Sequence, residues 1–288
     1  MAGQDGSQTI PPAVEPLFEI RETPAGFLGA FARVPIAQGT LVLDDPPLFT
    51  LDAPLQAYLF QRAQSGSGSG PTPVEGEEEE EEPPKTLEEF LDKAIRTMLS
   101  WKTDEQRKEF WDLANTRPEL PPAYGIFATN AVQTSDETGG MFLLLSRFNS
   151  SCRPALSRPA WNPSTNSTRL YALRDISTGD ELTWTYLNVT FEFEGVEARK
   201  AEMLRVFEFE CCCEACDDTR VGPEARNESE KRLLRLRRLK ERIGWTGESR
   251  TAGQTDGRME VLREMVDLSR LEGLWETADR LEKAIEHA

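Results

Sequence analysis

The segment Cys211-Cys212-Cys213-Glu214-Ala215-Cys216 places four of the five cysteines of this chain within six residues. A disulfide framework spreads its cysteines and uses an even number, so crowded thiols point instead to a metal and to a reducing compartment. Cys211, Cys213 and Cys216 can wrap one ion from a tight turn, whereas Cys212 cannot easily face the same way. Zinc takes four ligands in a tetrahedron, so one more is needed. The single histidine, His287, stands next to the last residue, and the one other cysteine is Cys152. By elimination Cys152, Cys211, Cys213 and Cys216 are the candidate ligands of one structural zinc, which would tie the 149–154 loop to the later cluster. The alternative is a set of free thiols.

The chain has 288 residues, with 33 Lys plus Arg against 50 Asp plus Glu and a formal charge of −17. That length supports a buried core and one to three domains. No apolar run approaches the roughly 20 residues of a bilayer helix, so a membrane span is not expected. Met1–Pro16 lacks a basic patch followed by an apolar block, so no secretory signal is expected and an intracellular location, nuclear or cytoplasmic, follows. The acidity argues against direct nucleic-acid binding and suits a basic protein or peptide partner. A monomer is expected.

Composition divides the chain. Residues 1–16 are read as a disordered N-terminus and 17–61 as β-rich, with Leu17–Ile20 and Thr40–Leu43 as short apolar runs between Pro and Gly turns. Residues 62–85 read as a flexible acidic linker, with Ser65–Gly70 alternating Ser and Gly and Glu77–Glu82 self-repelling. Residues 86–123 read as a helical insert. Thr86 with Glu89 and Thr103 with Gln106 are capping boxes, each followed by apolar residues at helical spacing. Short strands and loops are expected over 124–191, including strands at Thr168–Ala172 and Glu181–Leu187, then the cysteine segment over 192–218. Residues 219–288 read as three helices, carried by Leu236, Leu239 and Ile243, then Leu262, Met265, Val266 and Ser269, then Trp275, Ala278, Leu281 and Ile285. The first is locally basic, with seven Lys/Arg and three Glu between Glu228 and Arg242, and is expected to neutralise an acidic neighbour within the molecule.

Several segments together resemble the SET-domain protein methyltransferases, specifically the SMYD-like and fungal members whose domain is split by an insert. Phe31-Ala32 with Ile36–Thr40 is similar to the family's opening strand pair. Asp45-x-Pro47 or Asp44-x-Pro46 stands near its E-x-P, and Gly125–Ala131 is similar to its "gif.TNaf". Arg147-Phe-Asn-Ser-Ser-Cys-Arg-Pro-Ala155 sits where relatives have R-x-N-H-S-C-x-P-N. Arg174–Tyr186 is similar to "RDI..GEEL..sY", and Phe207-x-Phe209-x-Cys211-x-Cys213-x-x-Cys216 to the post-SET zinc segment. The likeness covers roughly 17–60 and 124–217, and its specificity lies in the order and spacing of separate motifs.

The resemblance implies an α+β fold of small curved β-sheets with a knot-like crossing between the 147–155 loop and the segment around Tyr186. It implies a SET domain in two parts (17–61 and 124–191), a zinc-bound post-SET segment, and methyl transfer from S-adenosylmethionine to a protein lysine. It assigns Tyr186 as the catalytic residue. Gly26, Phe27, Leu28, Gly29, Asn130, Asn149, Ser150, Tyr186 and Cys212 are its cofactor-binding positions, and Phe207 and Phe209 line a substrate channel. The family's Cys of N-H-S-C agrees with Cys152 as the fourth ligand. Three positions depart from the pattern: Phe27 replaces the first glycine of G-x-G, Ser150 the His of N-H-S-C, and Ala155 its final Asn. Two readings besides the enzyme therefore stand: a SET-fold interaction protein without cofactor binding, and a zinc-containing scaffold whose tail helices bind a partner. The Cys/His-rich MYND finger of many relatives is absent, since the insert has neither Cys nor His.

Overall fold

The computed structural model describes residues 16–52, 57, 61, 84–217, 219–245 and 256–287. The expected disordered start and nearly all of the expected acidic linker lie outside the described residues. Three small antiparallel sheets and seven α-helices make up the described residues, a mixed α+β fold. Strands β1 (Phe18–Glu22) and β2 (Leu28–Ala32) form a hairpin in register Phe18↔Ala32 to Glu22↔Leu28. Its turn contains Gly26 at φ +82°, a left-handed conformation that costs a glycine little. Strand β3 (Leu41–Asp45) pairs with β8 (Ser167–Tyr171), which also pairs with β7 (Ala160–Asn162). Strand β4 (Phe49–Asp52) pairs with β6 (Thr138–Met141), and β5 (Val132–Ser135) lies on the other side of β6. The β4–β6 ladder thus joins chain on either side of the insert. Ile36, Leu43, Phe142, Leu145, Phe148, Leu170, Ile176 and Leu182 fill the core between the sheets.

The insert folds as its local chemistry dictates. Helix α1 (Leu87–Ser100) starts on the complete Thr86/Glu89 capping box and buries Leu91, Ile95 and Leu99 along one face. Helix α2 (Asp104–Trp111) starts on the Thr103/Gln106 box and buries Phe110. Each cap contributes about 1 kcal/mol. Helix α3 (Pro122–Asn130) occupies a stretch read from sequence as strand and loop. Pro122 fits the first turn of a helix, where its missing N–H is not needed. The cap comes from another element: the Asp92 carboxylate of α1 accepts the amides of Ala123 at 2.6 Å and Tyr124 at 3.1 Å.

The expected strand at Glu181–Leu187 does not form a ladder. Isolated bridges Phe31↔Glu181 and Ser150↔Trp184 replace it. Leu182 N–H donates to Ala30 O of β2, and the 149–156 loop takes the groups that follow: Ser151 N–H donates to Trp184 O, Leu156 N–H to Thr183 O, and Trp184 N–H to Asn149 O. Helix α4 (Val196–Phe207) precedes the cysteines, a segment for which the sequence reading named no helix. The three tail helices form where the periodicity puts them, as α5 (Pro223–Ile243), α6 (Asp256–Leu271) and α7 (Trp275–Glu286). They bury Leu236, Leu239, Leu262, Met265, Ala278 and Leu281 in one cluster. The basic charge of α5 is met within the molecule, Arg232 by Glu272, Arg235 by Glu264 and Arg237 by Glu194.

Candidate active site and thiolate centre

The 147–155 loop begins in a short 3-10 turn, Leu145–Arg147. Phe148 anchors it, fully buried and edge-on to Phe18 at 5.1 Å. From there the loop runs parallel to the 183–187 segment, with Ser150 bridged to Trp184. Two hydrogen bonds fix Tyr186 to it. The Tyr186 amide donates to Ser150 Oγ at 3.1 Å, and the Tyr186 hydroxyl donates to the Phe148 carbonyl at 2.9 Å. Ser150, in the family's His position, thus holds the backbone of the tyrosine. The Tyr186 ring lies 4.7 Å from Trp184, 5.3 Å from Phe207 and 6.4 Å from Phe209. Burial, seconded by the charge of Glu181, pushes its hydroxyl above the usual phenol range, so the residue stays neutral.

Asn149 turns toward the β1–β2 hairpin. Its Nδ2 donates to Leu28 O at 3.1 Å and to Glu181 Oε1 at 2.8 Å. Gly29 makes this approach possible: a Cβ there would lie 2.8 Å from Glu181 Oε1 and 2.9 Å from Asn149 Nδ2. Phe27 does not fill the interior, since 69% of it is exposed, and Leu28 is 45% exposed. Ala155 is buried in the core. Asn130 serves the insert: its Nδ2 donates to Ala114 O and Ile126 O, at 2.7 and 2.8 Å. Glu181 was not singled out from the sequence, although it lies within the Gly179-Asp180-Glu181-Leu182 stretch already matched to the family.

The structure brings the four predicted sulfurs together. Those of Cys152, Cys211, Cys213 and Cys216 all lie within 4.8 Å of one another, and this set can hold a metal ion. Cys152 Sγ is 3.5 Å from Cys216 Sγ and 3.9 Å from Cys211 Sγ, well outside disulfide bonding. A tight turn shapes the later trio, with Cys216 N–H donating to Cys213 O at 2.8 Å. Cys212 is exposed. Hydrogen bonding with Cys152 leads the effects that draw the Cys213 thiol below its ordinary range and push Cys211 above it. Thiols so close share protons, and a divalent cation bound by all four would favour the thiolate in each.

The described residues thus combine a small-sheet α+β core, a pair of helices between its strands and a cluster of four cysteines, and a family model identifies the class of protein. The family model described as "SET domain" matches residues 28–187, more than half of the chain. The chain belongs to the SET-domain family. It is 36% identical over 125 residues to histone-lysine N-methyltransferase set5 of Schizosaccharomyces pombe (strain 972). That stretch is 43% of this chain and 38% of the relative, so less than half of the curated relative is matched. A crystal structure of the SET domain of LSMT bound to lysine and AdoHcy aligns over 94% of this chain and 72% of its own, with 14% identity and a TM-score of 0.38. Among the described residues no helix is long and apolar enough to cross a membrane.

Proposed function

We propose that this chain transfers a methyl group from S-adenosylmethionine to a lysine amine of a basic protein or peptide, in the nucleus or cytoplasm. The carrying observation is the placement of Tyr186, whose hydroxyl is tied to Phe148 and whose ring shares an aromatic cluster with Trp184, Phe207 and Phe209. One cluster of polar groups supports the choice of cofactor. Gly29 lets the Asn149 amide and the Glu181 carboxylate pack directly against the hairpin backbone beside the Leu28 carbonyl, a polar cluster suited to the cofactor's amino-acid end. The relative's name supports the choice of lysine.

When bound, the cofactor supplies a methyl group on a sulfonium leaving group, so no catalytic metal is needed. Asn149 and the backbone around Leu28 and Gly29 would hold its amino-acid end. Free lysine has a pKa of about 10.4, so the ammonium must lose its proton to solvent before the neutral amine attacks. Phe207, Phe209 and Trp184 provide a dry, apolar surround that disfavours the charged ammonium. The Tyr186 hydroxyl donates a hydrogen bond to Phe148 O, which leaves its oxygen lone pairs for the reacting groups. Most of the acceleration comes from alignment and from oxygens facing the charged methyl. One zinc held by Cys152, Cys211, Cys213 and Cys216 has a structural role. Held there, it would join the loop bearing Asn149 to the segment following Phe207 and Phe209. We read the chain as a monomer.

The departures that favour a non-catalytic scaffold carry less weight in this geometry. Phe27 is exposed, Ser150 anchors Tyr186, and Ala155 is a core residue. The test is paired. Calorimetry with S-adenosylmethionine should show saturable binding in wild type and in Tyr186→Phe alike. Transfer of labelled methyl to lysine-rich basic peptides should be lost in the variant. No binding at millimolar cofactor would leave the scaffold reading in its place.

A further inference from the structure

Two arginines are buried beside the four-cysteine cluster, and their charges need an anion. Arg199 of α4 is 2% exposed. Its guanidinium donates to Glu194 O and Ala215 O, and Nη2 lies 3.8 Å from Cys216 Sγ. Its Nε is buried without a hydrogen-bond acceptor. Among the described residues no carboxylate pairs with it. Arg153 follows Cys152 in the chain, donates to Cys152 O at 2.7 Å, and is also buried. It lines one narrow cavity with Arg199 and Cys152. Two guanidiniums inside a protein repel each other and are costly to desolvate unless opposite charge lies between or beside them.

Local ion pairs do not cancel this charge. Glu272 is buried and is shared between Arg153 and Arg232, so that trio keeps one positive charge. The other charges lining the cavity pair off, Glu192 with Arg280 and Glu276 with Arg158. Arg199 adds a second positive charge. Four neutral thiols would leave both unanswered. A divalent ion held by four thiolates carries two negative charges, which balances them.

We propose that Arg199 and Arg153 are the built-in counter-charges of a divalent tetrathiolate centre, so that metal binding and burial of these arginines stabilise each other. This rests on the zinc reading above. It makes Arg199 a positioning residue for the metal, acting through charge and through its contact with Cys216. Through the Arg153–Glu272 pair the same balance reaches the chain just after α6.

The experiment uses the full chain. Cobalt(II), as a spectroscopic stand-in for zinc, is titrated while thiolate-to-cobalt charge-transfer absorption is followed, and zinc affinity is measured by competition with a chromophoric chelator. Arg199→Gln should bind about 10- to 100-fold more weakly, the range found when groups around metal ligands are lost. Its cobalt charge-transfer band should also shift. Arg199→Lys should recover most of the affinity, because it restores the charge. Unchanged affinity and spectrum in Arg199→Gln, with a wild-type chain that binds metal, overturn this proposal and leave the zinc reading standing. A wild-type chain without zinc and without a thiolate–cobalt band overturns both. Should circular dichroism show that Arg199→Gln does not fold, Arg199→Lys decides: near wild-type affinity supports charge compensation, and tenfold weakening or worse overturns it.

Discussion

Ser150 Oγ accepts the backbone N–H of Tyr186 at 3.1 Å, across 36 residues of chain. One short hydroxyl therefore locks the candidate catalytic tyrosine to the loop that also carries Asn149 and Cys152. Ser150→Ala leaves that partly buried amide without its partner. A loss of about 1–3 kcal/mol is expected, together with slower methyl transfer. Ser150→Thr, which keeps the hydroxyl, should retain both. Thermal melting and a labelled-methyl assay check this, and an undisturbed Ser150→Ala would remove the serine from the account.

Gly29→Ala tests the close approach of the hairpin. The new methyl would meet the ends of the Glu181 and Asn149 side chains, not backbone. Those ends can move, so the expected stability loss is modest, about 1–3 kcal/mol. Moving Asn149 breaks its bonds to Leu28 and Glu181, so affinity for S-adenosylmethionine should fall at least about tenfold, equivalent to 1.4 kcal/mol. Calorimetry showing wild-type affinity in this variant would place the cofactor away from Asn149.

Asp45 gives the fold a pH dependence. Its carboxyl is buried and accepts the Leu145 amide at 2.9 Å. Burial, partly opposed by that hydrogen bond, raises its pKa from 3.8 to about 6. The folded state therefore prefers the protonated form. The stabilisation is complete below the unfolded value and is lost as pH rises through the folded one. Asp45→Asn keeps an oxygen for Leu145 and should be more stable than wild type by up to about 3 kcal/mol near pH 8, with the gap closing toward pH 4. Denaturant unfolding at the two pH values measures it, and equal stability at pH 8 would contradict the assignment.

The proposed zinc site at Cys152, Cys211, Cys213 and Cys216 predicts that two distant stretches of cysteine act as one unit. Cys152→Ser and Cys213→Ser should each remove the metal and destabilise the protein to a similar extent, and a strong chelator should reproduce the effect on wild type. Metal analysis should find one zinc per chain. An ordinary melting curve for Cys152→Ser would detach that residue from the centre.

Local sequence chemistry determined much of this molecule. The capping boxes at Thr86 and Thr103 start their helices because a cap involves residues three apart, and the tail helices form where apolar residues recur. The family motifs carried the SET assignment, and thiol crowding with one spare cysteine named the four sulfurs that the fold gathers. Tertiary structure decided what depends on distant partners. Sequence left Asp44 and Asp45 as alternatives at one motif. The fold pairs Asp44 with Arg169 at the surface and turns Asp45 inward to Leu145. Helix α3 takes its cap from Asp92, and residues 183–184 pair with the 149–156 loop instead of extending a strand ladder. Glu181 meets Asn149, and Arg199 meets Cys216, because the threading of separate segments fills one interior. Buried charge must find its opposite wherever the chain brings one, and spacing along the sequence does not record that.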